Sequence, residues 1–207
     1  MDQTVVLEHE NARRILDEGW RLFQQKGYRG VSVDELCQRC GLSKPTLYYY
    51  FGDKENLFVQ VLRRKLHGFR EVIEQPGTLA ERLARVIMAI LESFASDYTS
   101  LLRDREHLKR PENLDGVRSA FRGELFAPLA ALMQEGMAAG ELQADDPATL
   151  TLFFLGAINN FIGRGAEMGL EDAVLAQKLT DYFLKGAQTE RCRWPHDGGQ
   201  QETKRGD

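Results

Sequence analysis

Between Lys44 and Lys54 the chain crowds hydrogen-bond donors into one short run, KPTLYYYFGDK. The hydroxyls of Thr46, Tyr48 and Tyr50 suit phosphate oxygens, and the Thr46 methyl can meet a thymine methyl. Lys44 sits on the first turn of this run, where a reading helix touches base edges. Lys54 suits a phosphate contact. Leu47 and Phe51 are four apart and supply the packing face, which Tyr48 and Tyr50 cannot both share. The chemistry on offer is binding to duplex DNA. Two other constellations offer less. Cys37 and Cys40 form a C-x-x-C, but a structural zinc site needs four ligands and no second pair exists. Cys192 is remote and the four histidines are scattered. A redox pair would follow a strand, and none is expected here. Cys37 therefore reads as a small core residue. Glu106 and His107, with Asp104 nearby, are adjacent on a helix and diverge, so they read as a solvated charged face. No glycine-rich phosphate loop or nucleophile elbow occurs. No catalysis, cofactor or metal is expected.

The donor run needs a frame, and the residues before it supply one. Ser32 can cap a first helix, with Glu35 reaching back to complete a capping box. Leu36 and Cys37 point inward, and Gly41 ends the helix by allowing positive φ. Leu42 packs in the turn, Ser43 caps the next helix, and Pro45 fits its first turn. Helix, glycine turn, capped helix is the helix-turn-helix pattern.

Nearly all the remaining chain reads as helix, and no convincing strand or internal repeat appears. Ala12, Ile15, Leu16, Gly19, Leu22 and Phe23 give the first helix one buried face, and Gly27 stops it. From Asp53 a longer helix carries Leu57, Phe58, Val61, Leu62, Leu66 and Phe69. Pro76-Gly77 breaks the chain. Leu79 to Phe94 forms a wide apolar face, so that helix is expected to be central. A short polar helix is predicted from about 98 to 108, and a long one from Pro111 to Gly140. Further helices are expected from Pro147 to about Gly165 and from about 171 to 187. The tail from 188 is too polar to offset its ordering entropy and reads as disordered.

The chain has 207 residues, 43% hydrophobic and 28% charged, which is ordinary for a globular protein. No apolar run is long enough to span a membrane, and the first residues lack a signal peptide's pattern, so a cytoplasmic protein is expected. The net charge of −4 argues at first against a nucleic-acid partner. It is unevenly spread: residues 1–66 carry 11 basic against 9 acidic residues, +2, and residues 67–207 carry 16 against 22, −6.

The run SKPTLYYYFGDKENLF resembles the recognition helix and following helix start of the tetracycline-repressor (TetR) family of transcriptional regulators. Ile15, Leu16, Leu22, Phe23, Gly27-Tyr28 and Val31-Ser32-Val33 fit the same pattern upstream. The resemblance covers about residues 11–62, with fainter echoes to about 187. It implies an all-α protein of about nine helices: a DNA-binding domain at 1–55, a ligand-binding and dimerisation domain at 56–187, and a polar tail at 188–207. It implies a repressor that binds a pseudo-palindromic operator as a homodimer and is released by a small molecule. The implied DNA-contacting set is Ser32, Lys44, Pro45, Thr46, Tyr48, Tyr49, Tyr50 and Lys54. Leu150 to Ile162 is apolar nearly all round, which predicts a second covered surface. The expected dimer seam holds Phe153, Gly156, Ala157, Asn160, Phe161 and Phe183. Phe94, Phe121, Phe126, Met133 and Asn159 are candidates for an effector pocket. A helical carrier or enzyme with a vestigial helix-turn-helix, and a scaffold with no ligand, are the alternatives.

Overall fold

The computed structural model describes residues 10–94 and 103–187, and all regular structure among them is helical. In chain order the helices are α1 (Glu10–Gly30), α2 (Val33–Cys40), α3 (Lys44–Phe51), α4 (Lys54–Glu74), α5 (Leu79–Ser93), α6 (Pro111–Phe121), α7 (Ala127–Ala138), α8 (Pro147–Asn159) and α9 (Asp172–Ala187). A 3-10 turn at Asp104–His107 precedes α6, and a π-helical segment, Arg122–Phe126, joins α6 to α7. The predicted disordered tail and the start of the short polar helix lie outside the described residues.

The helix boundaries follow from local chemistry. Gly27 breaks α1 at φ 68°, and Pro147 opens α8 behind an Asp146 cap. Thr78 and Glu81 form a reciprocal capping box on α5. The same device is incomplete on α2. Ser32 accepts the Glu35 N–H, but the Glu35 carboxylate turns to Lys26 Nζ at 2.6 Å. The stretch expected as one helix from Pro111 to Gly140 changes register in its middle. Pro128 has no N–H to give, so the Gly123 carbonyl lacks a partner in the π register. Arg70 Nη2 of α4 fills that role at 2.5 Å. The helix expected to reach Gly165 stops at Asn159. There Asn160 Nδ2 donates to the Gly156 carbonyl at 2.9 Å, a side-chain bond that competes with helix continuation, and Gly163 follows at φ 73°.

One continuous apolar core joins the reading unit to the body. α4 is its axis, packing on α1 at one end and on α5, α6 and the π segment along its length. α6 approaches α4 closely because a Cβ on Gly116 would lie 3.0 Å from Val59 Cγ1. Two buried hydroxyls on the outer helices are satisfied internally: Thr151 donates to the Pro147 carbonyl and Thr180 to the Ala176 carbonyl. No helix is long and apolar enough to cross a membrane among the described residues.

Candidate nucleic-acid interface

The helix-turn-helix is built as its cap signals require. Gly41 closes α2 in the left-handed region at φ 62°, ψ 35°, and its N–H and that of Leu42 bond back to the last turn. Ser43 caps α3 by accepting the Thr46 N–H at 3.3 Å. Leu47 and Phe51 are buried and anchor α3 to the core. With that face spent on packing, Tyr48 and Tyr49 project outward, 44% and 67% exposed. Ser32, Lys44 and Pro45 are exposed as well. Tyr50 is half-buried and packs edge-on against Tyr49.

Three donors of this set are already engaged. The Thr46 hydroxyl lies 2.8 Å from Ser43 Oγ. Lys44 Nζ is 2.7 Å from Asp34 Oδ1, and that contact raises its pKa. Lys54 is half-buried with its ammonium 4.4 Å from the Tyr28 ring centroid, and burial lowers its pKa. Cys37 and Cys40 are both buried, and burial pushes both thiols up, away from the reactive thiolate.

A polar joint beneath the reading helix went unread in the sequence. Asp53 caps α4 through the Asn56 N–H and also accepts Arg110 Nη2 at 2.6 and 2.5 Å. Glu55 accepts the Lys109 N–H at 3.0 Å, the Arg110 N–H at 3.3 Å and Asn113 Nδ2 at 3.1 Å. Burial pushes the Glu55 carboxyl up, but these donors outweigh it and hold the pKa below the usual value. Asp104, expected on a solvated face, instead accepts the Tyr28 N–H at 2.7 Å. It fits there because Gly27 carries no Cβ, which would lie 3.2 Å from Asp104 Oδ2. The start of α6 and the 3-10 turn are thus bolted to both ends of the reading unit.

The other expected sites divide. Phe183 faces inward, 4.9 Å from Phe154 between ring centroids, and lines the floor of a hollow beneath Phe153. Phe153 is 65% exposed, and Gly156 and Asn160 are exposed with it. Ala157 and Phe161 are half-buried and line a hollow of about 170 Å³ with Tyr182. Leu152 and Tyr182, 60% and 65% exposed, extend the same apolar face and were not foreseen. Met133 is wholly within the core. Phe94 stacks on Phe69 at 5.9 Å, near α1. Phe121 precedes the π segment and Phe126 ends it, both half-buried, and Asn159 Oδ1 is buried with no hydrogen-bond partner among the described residues.

Known proteins agree with this arrangement. The HTH-type transcriptional regulator EthR of Mycolicibacterium smegmatis is 30% identical over 144 residues, 65% of this chain and 66% of that one. The HTH-type transcriptional repressor AcnR of Corynebacterium glutamicum is 35% identical over 83 residues, 40% of this chain and 42% of that protein. The structure of the TetR-family regulator PfmR from Thermus thermophilus superposes with a TM-score of 0.65 at 28% identity, covering 86% of this chain and all of that one. Residues 15–61 match the model of bacterial regulatory proteins of the tetR family, and residues 76–187 match a tetracyclin repressor-like C-terminal domain. With the helix-turn-helix and the helical body both matched, the chain belongs to the TetR family of transcriptional regulators.

Proposed function

We propose that this regulator is a cytoplasmic repressor that grips a pseudo-palindromic operator as a homodimer and lets go when a small molecule enters its body. The observation that carries the reading is the outward row of Lys44, Tyr48 and Tyr49 on a capped helix whose packing needs are met by Leu47 and Phe51. Thr46, Ser32, Pro45 and Tyr50 flank that row, and Lys54 supports it from Tyr28. AcnR, a repressor by name, supports the sign of regulation.

A second copy of this chain covers the apolar face of α8 and α9. Leu152, Phe153 and Tyr182 protrude there and Gly156 permits close approach, which suits two helices from each subunit packed as a four-helix bundle. The effector enters near Asn159, whose buried oxygen lacks a donor, and meets the half-buried rings of Phe121 and Phe126. The joint of Asp53, Glu55 and Arg110 carries its effect to the reading helix. An effector acts only by its preference for the DNA-incompetent arrangement. In this reading residues 1–55 are the reading unit and residues 56–187 the body.

Gel shifts with the DNA upstream of the chain's own gene test the reading. The expected result is a specific complex whose log affinity falls linearly with log salt. Binding no tighter than to random duplex would favour a carrier with a vestigial reader.

A further inference from the structure

Where α1 crosses α4 and the end of α5, a cleft of about 700 Å³ opens between the reading head and the body. Small-molecule sites are typically roughly 300–1,000 Å³. The floor is apolar: Leu16 and Trp20 from α1, Val61, Phe69 and Val72 from α4, and Ala89 from α5. Its rings are held in place. Trp20 meets Phe94 edge-on at 5.3 Å, and Phe69 stacks on the same ring.

Most charges on the rim are paired. Arg64 reaches Asp17 at 3.3 Å, Arg21 reaches Glu18 at 3.2 Å, and His67 reaches Glu124 at 3.0 Å. Lys65 is different. Its Nζ lies 5.7 Å from the Trp20 ring centroid and 5.5 Å from that of Phe69. Among the described residues it has no hydrogen-bond acceptor and no ion-pair partner. Burial lowers its pKa, against the opposing charges of Glu92 and Asp17. An ammonium has three N–H donors, and the ring faces offer attraction without an oxygen to receive them.

We propose that this cleft binds a small organic acid with a flat apolar body, its carboxylate or sulfonate paired with Lys65 and its body laid on Trp20 and Phe69. The sign of the ligand follows from the occupancy of the rings. A cation must displace the Lys65 ammonium from the ring faces it covers and then stand beside it. A neutral ligand gains nothing from the ammonium. An anion gives Lys65 the acceptor it lacks, in a partly desolvated place where charge-assisted bonds are strong. The site is separate from the effector position near Asn159, and one of its walls belongs to the reading head. Binding there needs no DNA, so its failure and failure of operator binding are read apart.

The probe is 8-anilinonaphthalene-1-sulfonate, titrated into the full chain carrying Trp194→Phe, so that Trp20 is the single tryptophan of the two in the sequence. The expected result is saturable, blue-shifted probe fluorescence with quenching of Trp20. Lys65→Met should weaken it by about tenfold, the loss of one charge-assisted bond, while Lys65→Arg retains it. Uncharged N-phenyl-1-naphthylamine should bind parent and Lys65→Met alike. Lys65→Gln gives the same reading should Lys65→Met alter the melting curve. Equal probe affinity and equal Trp20 quenching in parent and Lys65→Met would overturn the proposal. So would tighter quenching of Trp20 by the cationic dye rhodamine 6G than by the sulfonate.

Discussion

Lys44 and Asp34 set the first test at the level of single residues. Their exposed contact at 2.7 Å must open or be shared when a phosphate arrives. Asp34→Asn removes the competitor and a like charge from the DNA surface, so affinity for all sequences should rise a few-fold. Lys44→Ala should lower it and reduce the salt slope by about 1, if the contact is to phosphate. A base contact would show instead as a loss of about 1–3 kcal/mol at one operator position. Tyr48→Phe and Thr46→Ala separate in the same way. Tyr48 is exposed, so its loss should weaken binding without moving the melting temperature. The Thr46 hydroxyl touches the Ser43 cap, so its loss should cost a little stability as well. Matched-salt titrations with a melting curve for each variant decide these assignments. Parent-like operator affinity in both Tyr48→Phe and Thr46→Ala would remove the Tyr48 and Thr46 hydroxyls from the reader.

Elements transmit what residues read, and the joint between α4 and α6 is where that transmission is exposed to test. Glu55 collects two backbone N–H groups and the Asn113 amide, so Glu55→Ala leaves three donors without their acceptor. A loss of about 1–3 kcal/mol is expected, measured by urea unfolding. Because the folded Glu55 pKa lies below its unfolded value, this stabilisation is present above the ordinary glutamate pKa of about 4.3. It disappears as the pH falls through the lower folded value. Stability of the parent should therefore decline on acidification from neutral pH more steeply than that of Glu55→Gln. Parallel curves would show that the carboxylate is not the coupling group. The same joint marks what the sequence could and could not say. Caps at Ser32, Ser43 and Asp53 and the stop at Gly41 depend on neighbours three residues away, so they were legible. Arg110 meets Asp53 across 57 residues of chain, and no local pattern announces such a pair. The π register was hidden for a related reason. Pro128 signals that a carbonyl loses its donor, but only the fold shows that Arg70 supplies another. Phe183 and Phe153 look alike in an apolar sequence, and packing alone decides that one is core and the other surface.

Symmetry is the property that only the whole molecule can have. One chain presents one short reading helix, and an eight-residue helix covers only part of a major groove. Two copies related by a twofold axis present the same helix twice, so their DNA must repeat the same half-site in inverted order. The exposed apolar face of α8 and α9 lies on helices that hold no part of the reader, which leaves both heads unobstructed in such a pair. Phe153→Asp tests this without endangering the subunit, because the side chain is already 65% exposed in the single chain. The folded monomer should keep its helicity. In the pair, the new carboxylate would be buried without a partner, at a cost of several kcal/mol. Sedimentation should show the variant as a monomer at concentrations where the parent is a dimer. Its affinity for the full operator should fall toward that for a half-site, because the second head no longer arrives with the first. Tyr182→Asp, on the opposing helix of the same face, should behave alike. A Phe153→Asp protein that sediments as a parent-like dimer would place the seam elsewhere. Full affinity of the parent for an isolated, asymmetric half-site would remove the need for a pair at all.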